Sequence, residues 1–107
     1  MYTSSYELTG IYYKDLGEIP ISEKVTKREF ILHMPEISSG GTVYKGQYIR
    51  MQLMKEKSVI LDRFKIGDHI RVSFNLYGTK STKVPDRESN EYRNHLNVYR
   101  IEKVNNQ

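Results

Sequence analysis

Apolar residues recur at every second position through most of this chain. The segment His69–Tyr77 shows it most cleanly. Ile70, Val72, Phe74 and Leu76 form one row, while His69, Arg71, Ser73, Asn75 and Tyr77 form the other. Successive side chains leave a strand on opposite sides, so this period belongs to a strand with one face in a core. A helix, repeating about every 3.6 residues, cannot gather such a row on one side. A chain of 107 residues patterned this way is therefore restricted to a small all-β fold with one modest core.

The same period marks the other strands. Tyr6–Lys14 is the first, and Gly10 interrupts it, marking a bulge or a sharp bend of the kind a closing barrel needs. Tyr12 and Tyr13 are adjacent, so one of them faces the core. Asp15–Lys24, with Gly17 and Pro20, reads as a loop. In Val25–Met34, Phe30, Leu32 and Met34 point inward, with Thr26 and Arg28 extending that row. Lys27, Glu29, Ile31 and His33 point outward, and Pro35 is expected to end the strand. Glu36–Gly46 carries Ser38-Ser39-Gly40-Gly41, a flexible hairpin connection. Gln47–Met54 sets Ile49, Met51 and Leu53 inward against Tyr48, Arg50 and Gln52 outward.

Lys55–Phe64 breaks the alternation. Val59, Ile60 and Phe64 are spaced for one or two helical turns, with Ser58 as a candidate N-cap. Lys65-Ile66-Gly67-Asp68 makes a tight turn into His69–Tyr77. Gly78–Arg93 is a long polar connection, the kind that in small domains tends to be functional or disordered. The last strand, Asn94–Lys103, offers Leu96, Val98 and Ile101 to the core. Its change of spacing after Val98 marks a bulge or bend, and Val104–Gln107 reads as a frayed tail. Five strands with a short helix between the third and fourth is the order of an OB-type barrel. One domain over residues 1–107, with its core within about 6–104, is expected.

Catalytic motifs are missing. There is no cysteine, hence no disulfide, thiolate metal site or cysteine nucleophile. His33, His69 and His95 do not stand at metal-ligand spacing. Glu7, Glu29, Asp62, Asp68 and Glu102 are scattered, and Asp68 has a structural role in its turn. No phosphate loop, dinucleotide fingerprint or nucleophile elbow appears. The chain is expected to be no enzyme and to need no cofactor or metal. It shows neither a signal peptide nor an apolar run long enough to cross a bilayer, which makes the cytoplasm its expected location.

Seventeen Lys and Arg against thirteen Asp and Glu give a net charge of +4, which suits a polyanionic partner. Nine tyrosines suit strands, and they suit surfaces on which bases stack. Single strands are held by cations on phosphates and by flat rings on bases, and an OB barrel offers both around its second and third strands. Lys27, Arg28, Lys45, Tyr48, Arg50 and Gln52 fall there. Arg71 and Tyr77 lie on the fourth strand, and Lys80, Lys83, Arg87, Tyr92 and Arg93 lie in the long connection. A protein-interaction or dimerisation module on the same barrel is the alternative.

Gln47-Tyr48-Ile49-Arg50-Met51-Gln52-Leu53 and Leu61–Gly78 resemble a bacterial family of short uncharacterised proteins. Val25–Leu32 and Tyr92–Lys103 are similar to that family's second and closing strands. Its members look like single-stranded-DNA-binding proteins of the OB class. The resemblance implies a non-catalytic binder of single-stranded DNA, with RNA as a further candidate, that works in replication, recombination or repair. Because one barrel covers few nucleotides, a homo-oligomer, either dimer or tetramer, is expected. The family often carries an aromatic residue, commonly tryptophan, in the fourth-to-fifth loop and the last strand, whereas this chain has no tryptophan and its loop reads Thr79-Lys80-Ser81-Thr82-Lys83.

Overall fold

The computed structural model describes residues 4–80 and 92–104. Its strands are β1 (Tyr6–Pro20), β2 (Thr26–Ser39), β3 (Thr42–Met54), β4 (His69–Lys80) and β5 (Tyr92–Lys103), with a 3₁₀ helix (Lys55–Arg63) after β3. They close a barrel in the order β1-β2-β3-β5-β4. The five-stranded barrel with its helix between the third and fourth strands is the expected architecture.

The inward rows make the core. Phe30 and Leu32 of β2, Met51 and Leu53 of β3, Ile70 and Val72 of β4, and Leu61 of the helix are almost completely buried. Each such side chain contributes about 1.5–3 kcal/mol when withdrawn from water. Tyr12 is the buried member of its pair and meets Phe30 edge-on at 5.9 Å, whereas Tyr13 is exposed.

The strands are longer than the sequence suggests. β2 runs through Pro35, because Gly40 (φ 57°) and Gly41 (φ 81°) form a two-residue turn that sets Ser39 opposite Thr42. Positive φ at both central residues is the turn that matches strand twist. The ladder breaks only where Pro35 lies opposite Gly46, and it resumes in the same register at Glu36 and Lys45. What reads as a loose connection is thus a paired arm. Likewise β1 continues to Pro20 through two bulges, which leave Tyr13 and Leu16 as the extra residues. The bulge expected in the last strand is present: Ser73 faces Arg100 and Phe74 faces Val98, so Tyr99 is extra.

Three other expectations are corrected. The helix begins at Lys55 directly off β3, so Ser58 lies inside it and is not its N-cap. Leu61 anchors it, with Ile60 and Phe64 partly buried and Val59 exposed. Leu76 projects beyond the barrel body on the β4–β5 arm and is exposed. Val104 is tied down, its N–H donating to the His69 carbonyl at 2.8 Å.

Two features hold the ring. Strand β1 pairs with β4 over Tyr6–Ile11 and with β2 from Ile11 onward. At that handover a Cβ on Gly10 would lie 2.7 Å from the His33 carbonyl oxygen. Gly10→Ala must push backbone apart and is expected to cost about 1–3 kcal/mol in a urea titration. Arg28 ties three elements together: Asp15 of β1 at 2.8 Å, Asp62 of the helix at 2.6 Å, and the Ser58 carbonyl at 3.1 Å. The Arg28 hydrogen bonds, followed by the Gly17 N–H, hold the Asp15 carboxyl below the usual carboxylate range. An acid depressed in the folded state stabilises fully above its unfolded value near pH 4 and loses that contribution as pH falls through the folded value. Both carboxylates are partly wet, so Arg28→Ala should cost only about 1–2 kcal/mol at neutral pH. In urea titrations repeated at falling pH, its gap from the parent should narrow below about pH 4.

Candidate nucleic-acid interface

The arm's register decides which outward residues meet. His33 of β2 stands opposite Tyr48 of β3, Ile31 opposite Arg50, and Glu29 opposite Gln52. The His33 and Tyr48 rings stack at 4.3 Å and 16°. The first β1 bulge turns Tyr13 onto the same face, edge-on to Tyr48 at 5.0 Å and 5.6 Å from His33. His33 Nδ1 lies 3.0 Å from the Gln47 carbonyl, so it carries the proton and donates. Tyr48 and Tyr13 are about half exposed, at 54% and 48%. Together the three rings make an aromatic platform open to solvent.

Beside it the barrel is split. β3 and β5 run parallel and pair only at Gln52 and Asn97. There the Gln52 amide donates to Asn97 Oδ1 at 2.6 Å, and Gln52 Oε1 accepts from Lys27 Nζ at 3.4 Å. Beyond this point the strands diverge and leave a cleft of about 460 Å³, lined by Lys27, Glu29, Arg50, Gln52, Arg93 and His95 among others. The Glu29 side chain is only 11% exposed, and its Oε2 lies 3.3 Å from Lys27 Nζ and 3.9 Å from Arg50 Nε. On the far wall His95 stacks on Tyr77 at 4.9 Å, with Nε2 3.2 Å from Thr79 Oγ1. Partial burial, then the charges of Lys27 and Arg93, hold His95 below its ordinary value, so the ring is neutral at neutral pH. The surface can stack flat rings on the platform and receive phosphates on exposed cations such as Arg50, 70% exposed.

The structure gathers some of the sequence candidates and separates others. Lys27, Arg50, Gln52 and Arg93 meet in the cleft, Tyr77 backs it through His95, and Tyr48 belongs to the platform. Lys45 stands on the β2–β3 arm opposite Glu36. Lys80 and Tyr92 pair across the β4–β5 arm, with the ammonium 5.8 Å from the ring centre. Arg28 is not on this face but in the ion-pair cluster with Asp15 and Asp62. Arg71 is at the other end of β4, opposite Thr9 and beside Glu102. Lys83 and Arg87 lie outside the described residues. Tyr13, offered by the first strand along with Tyr12 and Lys14, joins the platform, whereas the outward rows alone did not single out Glu29, His33, His95 or Asn97. The signal for two of them was Gly40-Gly41: a two-residue turn there, counted back along both strands, sets His33 beside Tyr48 and Glu29 beside Gln52.

The scattered carboxylates all stand against cations. Glu29 meets Lys27 and Arg50, Asp62 meets Arg28, and Glu7 and Glu102 meet Arg100. Asp68 accepts from the Lys65 N–H within its turn and lies 3.9 Å from Lys103. Among the described residues no three His, Asp or Glu side chains are grouped to hold a metal ion. Nor is any helix there long and apolar enough to cross a membrane.

A closed five-stranded barrel in the order β1-β2-β3-β5-β4, with its helix between the third and fourth strands, is an OB fold. The chain belongs to the family described as a domain of unknown function, DUF3127, whose model matches residues 7–102. No curated protein matches it. Solved structures share the fold at low identity. A deletion mutant of the single-stranded DNA binding protein from Thermus aquaticus superposes with a TM-score of 0.68 at 13% identity over 95% of this chain. This chain spans half the length of that one. The mitochondrial single-stranded DNA binding protein Rim1 from S. cerevisiae gives 0.67 at 11% identity, over 100% of this chain and 99% of its own. The dimeric N-terminal domain of PriB from Thermoanaerobacter tencongensis gives 0.61 at 12%, over 96% and 98%.

The seam carries its own test. Asn97→Ala removes one hydrogen bond and leaves the buried Gln52 amide short of an acceptor, together costing about 1–3 kcal/mol. Hydrogen exchange should accelerate at the β3–β5 contact first and leave the β1–β2 ladder unchanged. Uniform acceleration would show that the seam is not a local joint.

Proposed function

We propose that this protein binds single-stranded nucleic acid without catalysis. Single-stranded DNA is the principal ligand, RNA the lesser one, and the setting is DNA replication, recombination or repair in the cytoplasm. The observation that carries this is the exposed platform of Tyr13, His33 and Tyr48 beside a cleft holding Lys27, Arg50 and Arg93. Rings take bases and cations take phosphates, and the two lie side by side as a single strand requires. Similarity in fold to single-stranded DNA binding proteins from Thermus aquaticus and yeast mitochondria supports the same reading. One barrel covers few nucleotides, and the PriB domain of like fold is dimeric, so the working form is a homo-oligomer, dimer or tetramer.

Fluorescence anisotropy of labelled oligo-dT at several ionic strengths tests it. Affinity should fall with salt by about 0.7 log units per log unit for each phosphate engaged. Tyr48→Ala should weaken binding about fivefold to a hundredfold, as loss of one stacked base does. Arg50→Ala should lower the salt slope by about one phosphate's share. Absence of binding at low salt, or binding indifferent to salt, sinks the proposal.

The alternative, a protein-interaction or dimerisation module, is favoured by one observation. β3 and β5 pair with each other only at Gln52 and Asn97, so both present unpaired edges along the cleft. Under that reading Tyr48→Ala and Arg50→Ala change oligomeric mass or partner capture and leave oligonucleotide affinity as it was.

A further inference from the structure

Beside its cations the cleft holds a group that phosphate binding alone does not call for. Glu29 is a carboxylate with an 11% exposed side chain, set among the cations of a face open to a polyanion. Withdrawing a carboxylate from water is costly unless it is paired, and here Lys27 and Arg50 pair with it. Both pairs use Oε2, and among the described residues no hydrogen bond reaches Oε1. The carboxylate is braced on one oxygen and has accepting capacity left on the other. It repels phosphate and attracts N–H donors.

Gln52 beneath it is occupied. Its amide group donates to Asn97, and its oxygen accepts from Lys27. The floor is therefore fixed, and the free recognition chemistry in the cleft is the carboxylate with the Arg50 and Arg93 guanidinium groups around it. Among nucleobases, guanine alone places two N–H donors side by side on its Watson–Crick edge, at N1 and the exocyclic N2, next to a carbonyl acceptor at O6. A carboxylate takes the two donors, Oε1 accepting one and the remaining lone pair of Oε2, which Arg50 approaches only to 3.9 Å, accepting the other, and a neighbouring cation takes O6. Thymine offers one N–H between two carbonyls, which a carboxylate opposes. A volume of about 460 Å³ is within the range of small-ligand sites and admits one base with its sugar.

We propose that the cleft between β3 and β5 is a nucleobase pocket selective for guanine, with Glu29 accepting from N1–H and N2–H. This rests on the single-strand binding reading. It changes a sequence-tolerant surface into one with a preferred register, in which a guanine seats in the cleft while its neighbours stack on Tyr48 and Tyr13.

Oligo-dT carrying one central dG, dI or dT, titrated by anisotropy, provides the test. Inosine keeps N1–H and O6 but lacks the N2 amine. The dG oligonucleotide should bind about fivefold or more tightly than the dT one, the discrimination of a bidentate base contact, with dI between them. Glu29→Gln should erase the dG preference, read as the ratio of dG to dT affinities within the variant. Equal affinities for dG, dI and dT overturn the pocket and leave the single-strand reading standing, because plain oligo-dT still binds. A Glu29→Gln protein that keeps the dG preference also overturns it. Binding to none of the three overturns the single-strand reading and the pocket with it. The three-oligonucleotide comparison uses the parent protein, so it holds even if Glu29→Gln folds poorly.

Discussion

The barrel closes on a pair of amides. Every other joint in the ring is an antiparallel ladder of at least six residue pairs, whereas β3 meets β5 at one bridge, Gln52 with Asn97. Their 2.6 Å hydrogen bond sits where the sheet would otherwise end, and it is shielded because Gln52 is buried. A shielded hydrogen bond is strong locally, and its loss strands a polar group away from water. The same economy of pairing opens the cleft. Had β3 and β5 paired along their length, the ring would be sealed and Glu29, Arg50 and His95 would lie on a plain sheet face.

Charge in this molecule is divided between holding the fold and facing solvent. The net charge of +4 counts cations that already have partners. Arg28 joins β1, β2 and the helix through Asp15 and Asp62, Arg71 meets Glu102, and Arg100 meets Glu7 and Glu102. Lys27 and Arg50 are tied more loosely, sharing Glu29 at the wall of the cleft. Arg50 remains 70% exposed while Arg28 is 15% exposed, so two arginines of equal formal charge differ in what they can offer a ligand.

Strand order, the helix position, the core rows and the bulge after Val98 were legible because each depends on local spacing. Phe30, Leu32, Met51, Leu53, Ile70 and Val72 follow from alternation alone. Arg28 was legible as part of the inward row, yet its partners Asp15 and Asp62 are 13 and 34 residues away, and no periodicity brings them together. The platform needed register. Pro35 read as a strand end because proline cannot donate to a ladder, but Gly46 opposite it lets the backbone pass and the pairing resume. The cleft needed topology: His95 and Asn97 reach Lys27 and Gln52 only through the β3–β5 closure, which joins residues 45 positions apart.

The Gly40-Gly41 turn sets a rule of parity for the arm it ends. A hairpin closed by a two-residue turn ends on a hydrogen-bonded pair, and such pairs recur at every second residue, so its length changes by two residues on each strand, four in all. An insertion of four moves the tip outward and leaves His33 facing Tyr48. An insertion of one, two or three has no such outlet and must surface as a second bulge or a longer tip, because the core fixes both strands below it. The stem of the arm is thus fixed by arithmetic, and its reach is free to vary.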